Sequence, residues 1–261
     1  MNAVKTSDEL VMMREGGQKL GRILEQLLNL AIPGGNLLHI ESEAQRLIKE
    51  AGGTPSFQTV AGYEWATCLC INEAVVHGVP KDYILKAGDV LTIDVGILYK
   101  GFHTDTAWTK LIQNSNPPAG GQNYEEKEKF LKIGEEALWK AIAQVKAGNR
   151  VGHISKVIQE AIEGAGYGIV RTLVGHGVGI ELHEAPQIPG YLRIPIEETL
   201  ELLAGMTIAV EIIYAMGSGA VEYPNDDGWT IATKDRSLSA VFEHTVAITA
   251  GEPELLTKTA N

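Results

Sequence analysis

Hydrophobic residues recur along this chain with two periods, and the switches between them outline its elements. Leu10, Met13, Leu20, Leu24, Leu27 and Leu28 fall at helical spacing behind the capping box Thr6-Ser7-Asp8-Glu9, predicting a helix that Pro33-Gly34-Gly35 ends. A second helix is expected over about residues 38–51, stopped by Gly52-Gly53. Residues 55–71 read as irregular or strand. β-branched apolar runs then take over, and the turn Tyr99-Lys100-Gly101 joins two of them into a hairpin. The Pro-, Gly- and Asn-rich stretch 114–121 is the clearest linker. Beyond it the order repeats, with helices over about 124–145 and 151–164, a His/Gly-rich segment and more strands.

Four acids interrupt the apolar strands. Asp94 lies in Val90-Leu91-Thr92-Ile93-Asp94-Val95, Asp105 in His103-Thr104-Asp105-Thr106-Ala107-Trp108, Glu211 in Thr207-Ile208-Ala209-Val210-Glu211-Ile212-Ile213, and Glu243 in Ala240-Val241-Phe242-Glu243-His244-Thr245-Val246. A buried carboxylate without a partner costs several kcal/mol, so it takes up a proton or binds a cation. One such acid alone is better read as a strand-end residue facing water. Four of them, with few Lys or Arg in the same windows, call for positive charge from outside the chain, and two divalent cations would balance it. A hairpin with an even-numbered loop puts Asp94 and Asp105 on one face, as opposite or diagonal neighbours roughly 5–8 Å apart. That suits carboxylates sharing two metals about 3.5–4 Å apart.

The chain also repeats itself. His39 to Gly52 matches His153 to Gly166 at a constant offset of 114, and Ala87 to Val95 matches Ala204 to Ile212 at 117, which puts Asp94 on Glu211. A second acidic strand follows in each half, with Asp105 in one and Glu243 in the other. The expectation is α/β (α+β) architecture: two pseudo-symmetric helix-plus-antiparallel-sheet halves, about 1–113 and 122–261, forming a single catalytic domain around a shared site.

Composition narrows the function classes. Hydrophobic content of 44% with 21% charged residues fits an ordinary globular protein of 261 residues, and a net charge of −11 disfavours nucleic acid or an anionic membrane as direct partner. No apolar run reaches membrane-spanning length and the N-terminus lacks a signal-peptide core, so a cytoplasmic location is expected; a monomer is expected as well. Cys68 and Cys70 would share one strand face, poorly placed to bridge each other and weak as zinc ligands, but able to line a pocket.

Three histidines, His77, His176 and His183, lie in glycine- or proline-rich contexts where backbone can approach a ligand. A lone histidine is usually structural. Beside four unpaired acids an imidazole is an apt fifth ligand, and one nitrogen with several oxygens suits Mn, Fe, Co or Zn better than Ca or Mg. His244 follows Glu243 and so points to the opposite face, where packing or hydrogen bonding is expected; His39, His103 and His153 have no comparable claim.

Several motifs together carry a family resemblance: Asn72-Glu73…His77-Gly78-Val79-Pro80, Ile93-Asp94-Val95, Gly101-Phe102-His103-Thr104-Asp105-Thr106, Gly175-His176-Gly177-Val178-Gly179, His183-Glu184-Ala185-Pro186, and Trp229…Lys234-Asp235-Arg236-Ser237-Leu238-Ser239-Ala240…Phe242-Glu243-His244-Thr245. Over essentially its whole length the chain resembles the type I methionine aminopeptidases. The resemblance implies a pita-bread fold around two divalent cations (Co, Mn, Fe or Zn), with Asp94 on one metal, His176 and Glu211 on the other, and Asp105 and Glu243 bridging. It implies catalytic roles for His77, His183 and Glu211, with Glu211 both a ligand and a proton carrier. His77 and His183 would also contact substrate, and Tyr63, Cys68 and Trp229 would line the methionine pocket. The implied reaction is attack of a metal-activated hydroxide on the first peptide bond of peptides and nascent chains whose second residue is small. Docking on ribosomes is left open. Val76, Ile180, Leu182 and Ile212 depart from the commonest family pattern at Cys, Arg, Phe and Pro respectively, which bears on pocket shape rather than chemistry. Two other readings stand beside this one. A proline-specific peptidase of the same fold would carry a large extra N-terminal domain, and a metal-free binding protein would have lost ligands.

Overall fold

The computed structural model describes residues 4–113, 122–225 and 227–258. Four long helices pack on one antiparallel sheet. Helix α1 (Ser7–Leu30) starts at Thr6, whose hydroxyl accepts from Glu9 N while Glu9 returns a bond to Thr6 N, completing the expected capping box. Helix α2 (Leu37–Glu50) is capped by Asn36. Helix α3 (Gln122–Ile142) stops short of the expected 145, because the next amides, Gln144 N and Val145 N, bond three residues back, to Ala141 and Ile142, and tighten the chain toward Gly148 at φ +87°. Helix α4 (Val151–Gly164) matches its expected span. The expected linker lies outside the described residues.

Seven of the ten strands that the described residues contribute to the main sheet frame the site: β1 (Thr67–Ile71), β2 (Val90–Tyr99), β3 (Phe102–Leu111), β4 (Val174–Gly177), β5 (Glu184–Pro189), β6 (Thr207–Ala215) and β7 (Ser239–Ala247). Their order is β2-β3-β7-β6-β4-β5, with β1 pairing the outer side of β2 and every pairing antiparallel. The β2–β3 hairpin turns on Lys100 and Gly101, both at positive φ, which is the two-residue geometry that matches strand twist. Its register sets Asp105 opposite Gly96 and Asp94 opposite Ala107, so the two acids are diagonal neighbours on one face. The β3–β7 pairing joins the two halves.

Period-two alternation then divides the sheet. Leu91, Ile93, Val95 and Ile97 pack under α1 and α2, while Ile208, Val210, Ile212, Tyr214 and Phe242 pack under α3 and α4. The acids point the other way, beneath a small second sheet of Ala74–Val76, Val221–Glu222 and Ile231–Thr233. The repeat is visible in the hydrogen bonds as well as in the sequence. Gly34 N reaches Leu85 O and Gly148 N reaches Leu202 O, at 2.8 and 3.0 Å; Leu37 N to Tyr83 O is likewise repeated by Val151 N to Leu200 O.

One buried carboxylate in this frame went unnoticed in the sequence. Glu41 of α2 is 4% exposed and accepts from Ala66 N (2.7 Å), Thr67 N (3.0 Å) and Thr67 Oγ1 (2.5 Å), fixing the entry to β1. Glu41→Leu leaves those donors buried without partners, which is expected to lower stability by roughly 2–4 kcal/mol in urea unfolding of the metal-loaded protein. Glu41→Gln, which keeps one acceptor, is expected to lose less.

Candidate metal centre and substrate pocket

Five adjacent strands each bring one candidate ligand to the same place. In sheet order they are Asp94 (β2), Asp105 (β3), Glu243 (β7), Glu211 (β6) and His176 (β4). Glu243 and Glu211 are directly paired across β6 and β7, so their side chains share a face at cross-strand distance. Asp105, His176 and Glu243 offer ligand atoms that all lie within 4.8 Å of one another. His176 Nε2 lies 3.4 Å from Glu211 Oε1. All five line one cavity together with His77, His183, Tyr63, Cys68 and Trp229. The sequence expectation thus converges in space on a single cavity.

The electrostatics are those of an uncompensated acidic cluster. No Lys or Arg lines the cavity among the described residues. Burial, and then the neighbouring Asp105 and Glu211, push the Asp94 carboxyl well above the ordinary range. Burial raises Asp105 to about 7, against the opposing hydrogen bond from Thr106 N. Glu211 and Glu243 are raised by burial first and by the other acids second. Asp94 Oδ1 and Glu243 Oε1 are buried with no hydrogen-bond partner at all. Such orphaned oxygens are costly unless something outside the protein satisfies them.

His176 is prepared as a neutral ligand. Its Nδ1 donates to Gly177 O at 2.8 Å, which fixes the tautomer and leaves the Nε2 lone pair facing Glu211. Burial, with His183 adding to it, drops its pKa to about 4. Neutral imidazole, orphaned carboxylate oxygens and the absence of a cationic side chain fit divalent cations. The donor set is oxygen-rich with one nitrogen, a set that suits Mn, Fe, Co or Zn.

The apolar end of the cavity is aromatic. Tyr63 sits edge-on to Trp229 (5.1 Å between centroids), and its hydroxyl donates to Thr67 O at 2.8 Å, with Cys68 Sγ 3.2 Å away. Phe57, Val60 and Leu182 complete the wall. The sequence reading missed Phe57 and Val60, because they lie in an irregular stretch where periodicity carries no signal. It also missed Asp227, which holds Trp229 in place by accepting from Trp229 N (2.9 Å), Thr230 N (2.8 Å) and Thr230 Oγ1 (2.6 Å).

The other histidines sort as expected or nearly so. His77 has φ 56°, a left-handed backbone that an L-residue holds only under constraint, and its pKa is lowered by burial and then by His183. His183 packs edge-on to His176, with centroids 4.4 Å apart. His244 lies on the helical face between Trp108 and Trp139, its Nδ1 near Thr106 and Thr257 hydroxyls. His103 is more involved than expected: it is buried, with Nδ1 2.9 Å from Ser56 Oγ, on the same strand face as Asp105.

Fold and site define a metallopeptidase. The model of metallopeptidase family M24 matches residues 11–250, and the chain belongs to that family. Within it, relatives matched over nearly their whole length include methionine aminopeptidases. That of Clostridium perfringens is 38% identical over 257 residues, covering 98% of this chain and 99% of the relative. The crystal structure of methionine aminopeptidase from Thermotoga maritima superimposes with a TM-score of 0.90 at 36% identity, covering 98% of both chains. Prolidase from Pyrococcus furiosus, at 24% identity and a TM-score of 0.77, shares the pita-bread fold; this chain spans 66% of it.

The acid cluster makes a prediction about stability. The four carboxyls are held above their ordinary values of 3.8 and 4.5 in the folded, metal-stripped protein, so the fold binds protons that the unfolded chain releases. Their contribution to stability is present below those ordinary values and is lost as pH rises through the folded-state values, about 7 for Asp105. The urea midpoint of metal-stripped protein is therefore expected to fall from about pH 5 to about pH 8. Added divalent cation should flatten the slope, and a metal-independent midpoint would contradict cation binding by this cluster.

Proposed function

We propose that this chain removes N-terminal methionine from peptides and nascent chains whose second residue is small. It would do so as one catalytic unit, because the ligands come from both pseudo-symmetric halves. The observation that carries the reading is the junction of two environments in one cavity: five ligand-type side chains on adjacent strands, and an aromatic, sulfur-containing wall beside them. A cytoplasmic monomer acting on chains as they are made is the setting this activity suits.

Asp94 would hold one divalent cation, His176 and Glu211 a second, and Asp105 and Glu243 both. Two cations so held supply Lewis acidity and bring the pKa of a water toward neutrality. Glu211, at the cavity with its side chain 12% exposed, takes the proton of the attacking water and passes it to the departing amine. His183 and His77, whose pKa values are lowered by desolvation, are each suited to donate a hydrogen bond to the peptide oxygen as charge develops there. Tyr63, Cys68 and Trp229 accept an unbranched thioether, for which sulfur–aromatic contacts contribute about 0.3–1.5 kcal/mol. Leu182 and Val60 make part of that wall aliphatic, and Phe57 adds a further ring.

Mutations separate ligands from substrate contacts. Asp105→Asn and Glu243→Gln are expected to lose bound metal, read by elemental analysis. His77→Ala and His183→Ala are expected to retain metal while kcat/KM drops on the order of 10²–10³-fold, the cost of losing an oxyanion donor. A metal-free histidine variant would make that residue a ligand instead.

Specificity is tested with Met-X-Ser peptides beside Leu-, Ala- and Xaa-Pro-initiated ones. Cleavage is expected after Met when X is Gly, Ala, Ser, Cys, Thr, Pro or Val. A bulky second side chain would displace the scissile carbonyl, and about 1 Å of misplacement costs roughly 10²-fold. Equal rates on Leu-Ala and Met-Ala peptides, or cleavage before proline whatever the first residue, would remove the methionine assignment.

A further inference from the structure

His183 is placed by its loop rather than by its own hydrogen bonds. Among the described residues its ring makes one ring contact, edge-on with His176, and no hydrogen bond to either nitrogen. The loop runs from Gly177 to Glu184 between β4, which carries His176, and β5, and it also supplies Leu182 to the pocket wall. Its first part is fastened by backbone: Val178 N to Thr207 O (3.1 Å), and His103 N to Gly179 O (2.6 Å).

Its far end is fastened by a charge from outside the sheet. Lys5, just ahead of α1, sends Nζ to Glu184 Oε2 at 2.6 Å, and the two side chains are 2% and 7% exposed. Glu184 Oε1 accepts from Glu181 N at 3.0 Å, so one carboxylate links the lysine to the loop backbone next to His183. The lysine stem lies flat on Gly179, where a Cβ would collide with Lys5 Cε. Lys5 is itself immobilised: its amide donates to Gly205 O at 2.7 Å, and Val4 bridges Met206 just ahead of β6, the strand of Glu211.

A buried ion pair is a poor way to gain stability, since desolvation offsets most of the attraction, but it fixes two segments in one relative position. We propose that Lys5 is a positioning residue for the reaction, acting through Glu184 to hold His183 where it meets the peptide oxygen. This rests on the reading of His183 as an oxyanion donor. The N-terminal strap, the β6 entry and the histidine loop then form one rigid assembly beside the metals.

The test is a double-mutant cycle of Lys5→Met with His183→Ala, on metal-loaded protein with metal content and unfolding midpoint recorded for each variant. Lys5→Met is expected to lower kcat roughly 10- to 100-fold with KM for a Met-Ala-Ser peptide little changed, the scale of a sub-ångström to ångström misplacement. In the His183→Ala background the same substitution is expected to cost less than about twofold, because the group it positions is gone. Lys5→Met/Glu184→Gln removes both charges at similar volume; it is expected to show the same loss of kcat, and it serves if the single variant does not fold. A lowered midpoint with unchanged kcat would reduce the pair to a structural tie and overturn the proposal. Full multiplication of the two losses would overturn the coupling while leaving the role of His183 intact. An undiminished kcat in His183→Ala alone would instead remove the donor role, and the positioning proposal with it.

Discussion

Four carboxylates on one face of a sheet repel one another, and no cationic Lys or Arg side chain among the described residues lining the cavity answers them. Asp94, Asp105, Glu211 and Glu243 sit where burial already disfavours charge, and no Lys or Arg reaches the cavity among the described residues. The fold can hold them together only with external cations, or with protons taken up in their place. The neutral tautomer of His176, fixed by Gly177 O, belongs to the same logic, since a protonated imidazole would offer charge but no lone pair. Cation binding and folding are therefore linked: the charge density that makes the site reactive is also what destabilises the metal-stripped protein.

The cations of the chain are placed elsewhere, and three other carboxylates serve as anchors for backbone. Glu41 collects the amides at the entry to β1, Asp227 those beside Trp229, and Glu184 ties the histidine loop to Lys5. Each satisfies several donors at once, so its oxygens are partnered without a metal. Two uses of the same functional group are thus kept apart by what surrounds them: hydrogen-bond donors in one case, other carboxylates in the other.

Duplication explains why the site is symmetric in its acids and asymmetric in everything else. Asp94 and Glu211 occupy matching places in β2 and β6, and the neighbouring strands β1 and β4 flank them in matching ways. Yet the residue paired with Thr92 is Cys70, while the residue paired with the equivalent Ala209 is His176. One side of the cavity therefore offers an imidazole and the other a thiol-bearing strand that leads into the aromatic wall. A duplicated frame supplies the acid cluster, and the two outer strands differ: one places the imidazole of His176 beside the acids, the other places Cys68 beside the aromatic wall.

Much of this was legible in the chain itself. The strand period assigned each acid to a face, the odd sum of positions 94 and 105 put both on the same one, the Thr6–Glu9 box marked the first helix, and the internal repeat aligned Asp94 with Glu211. The motifs around His77, His176 and His183 supplied the rest of the site by resemblance. Periodicity encodes which way a side chain faces, but not which strand lies beside it. The pairing of β3 with β7, which brings the two halves' carboxylates together, is a contact between residues more than a hundred positions apart and was settled only in the folded structure. The same holds for Phe57 and Val60 in an irregular segment, for Glu41 on the second helix, and for Lys5 reaching Glu184. These residues act through hydrogen bonds and packing across long sequence separations, and local spacing carries no trace of such contacts.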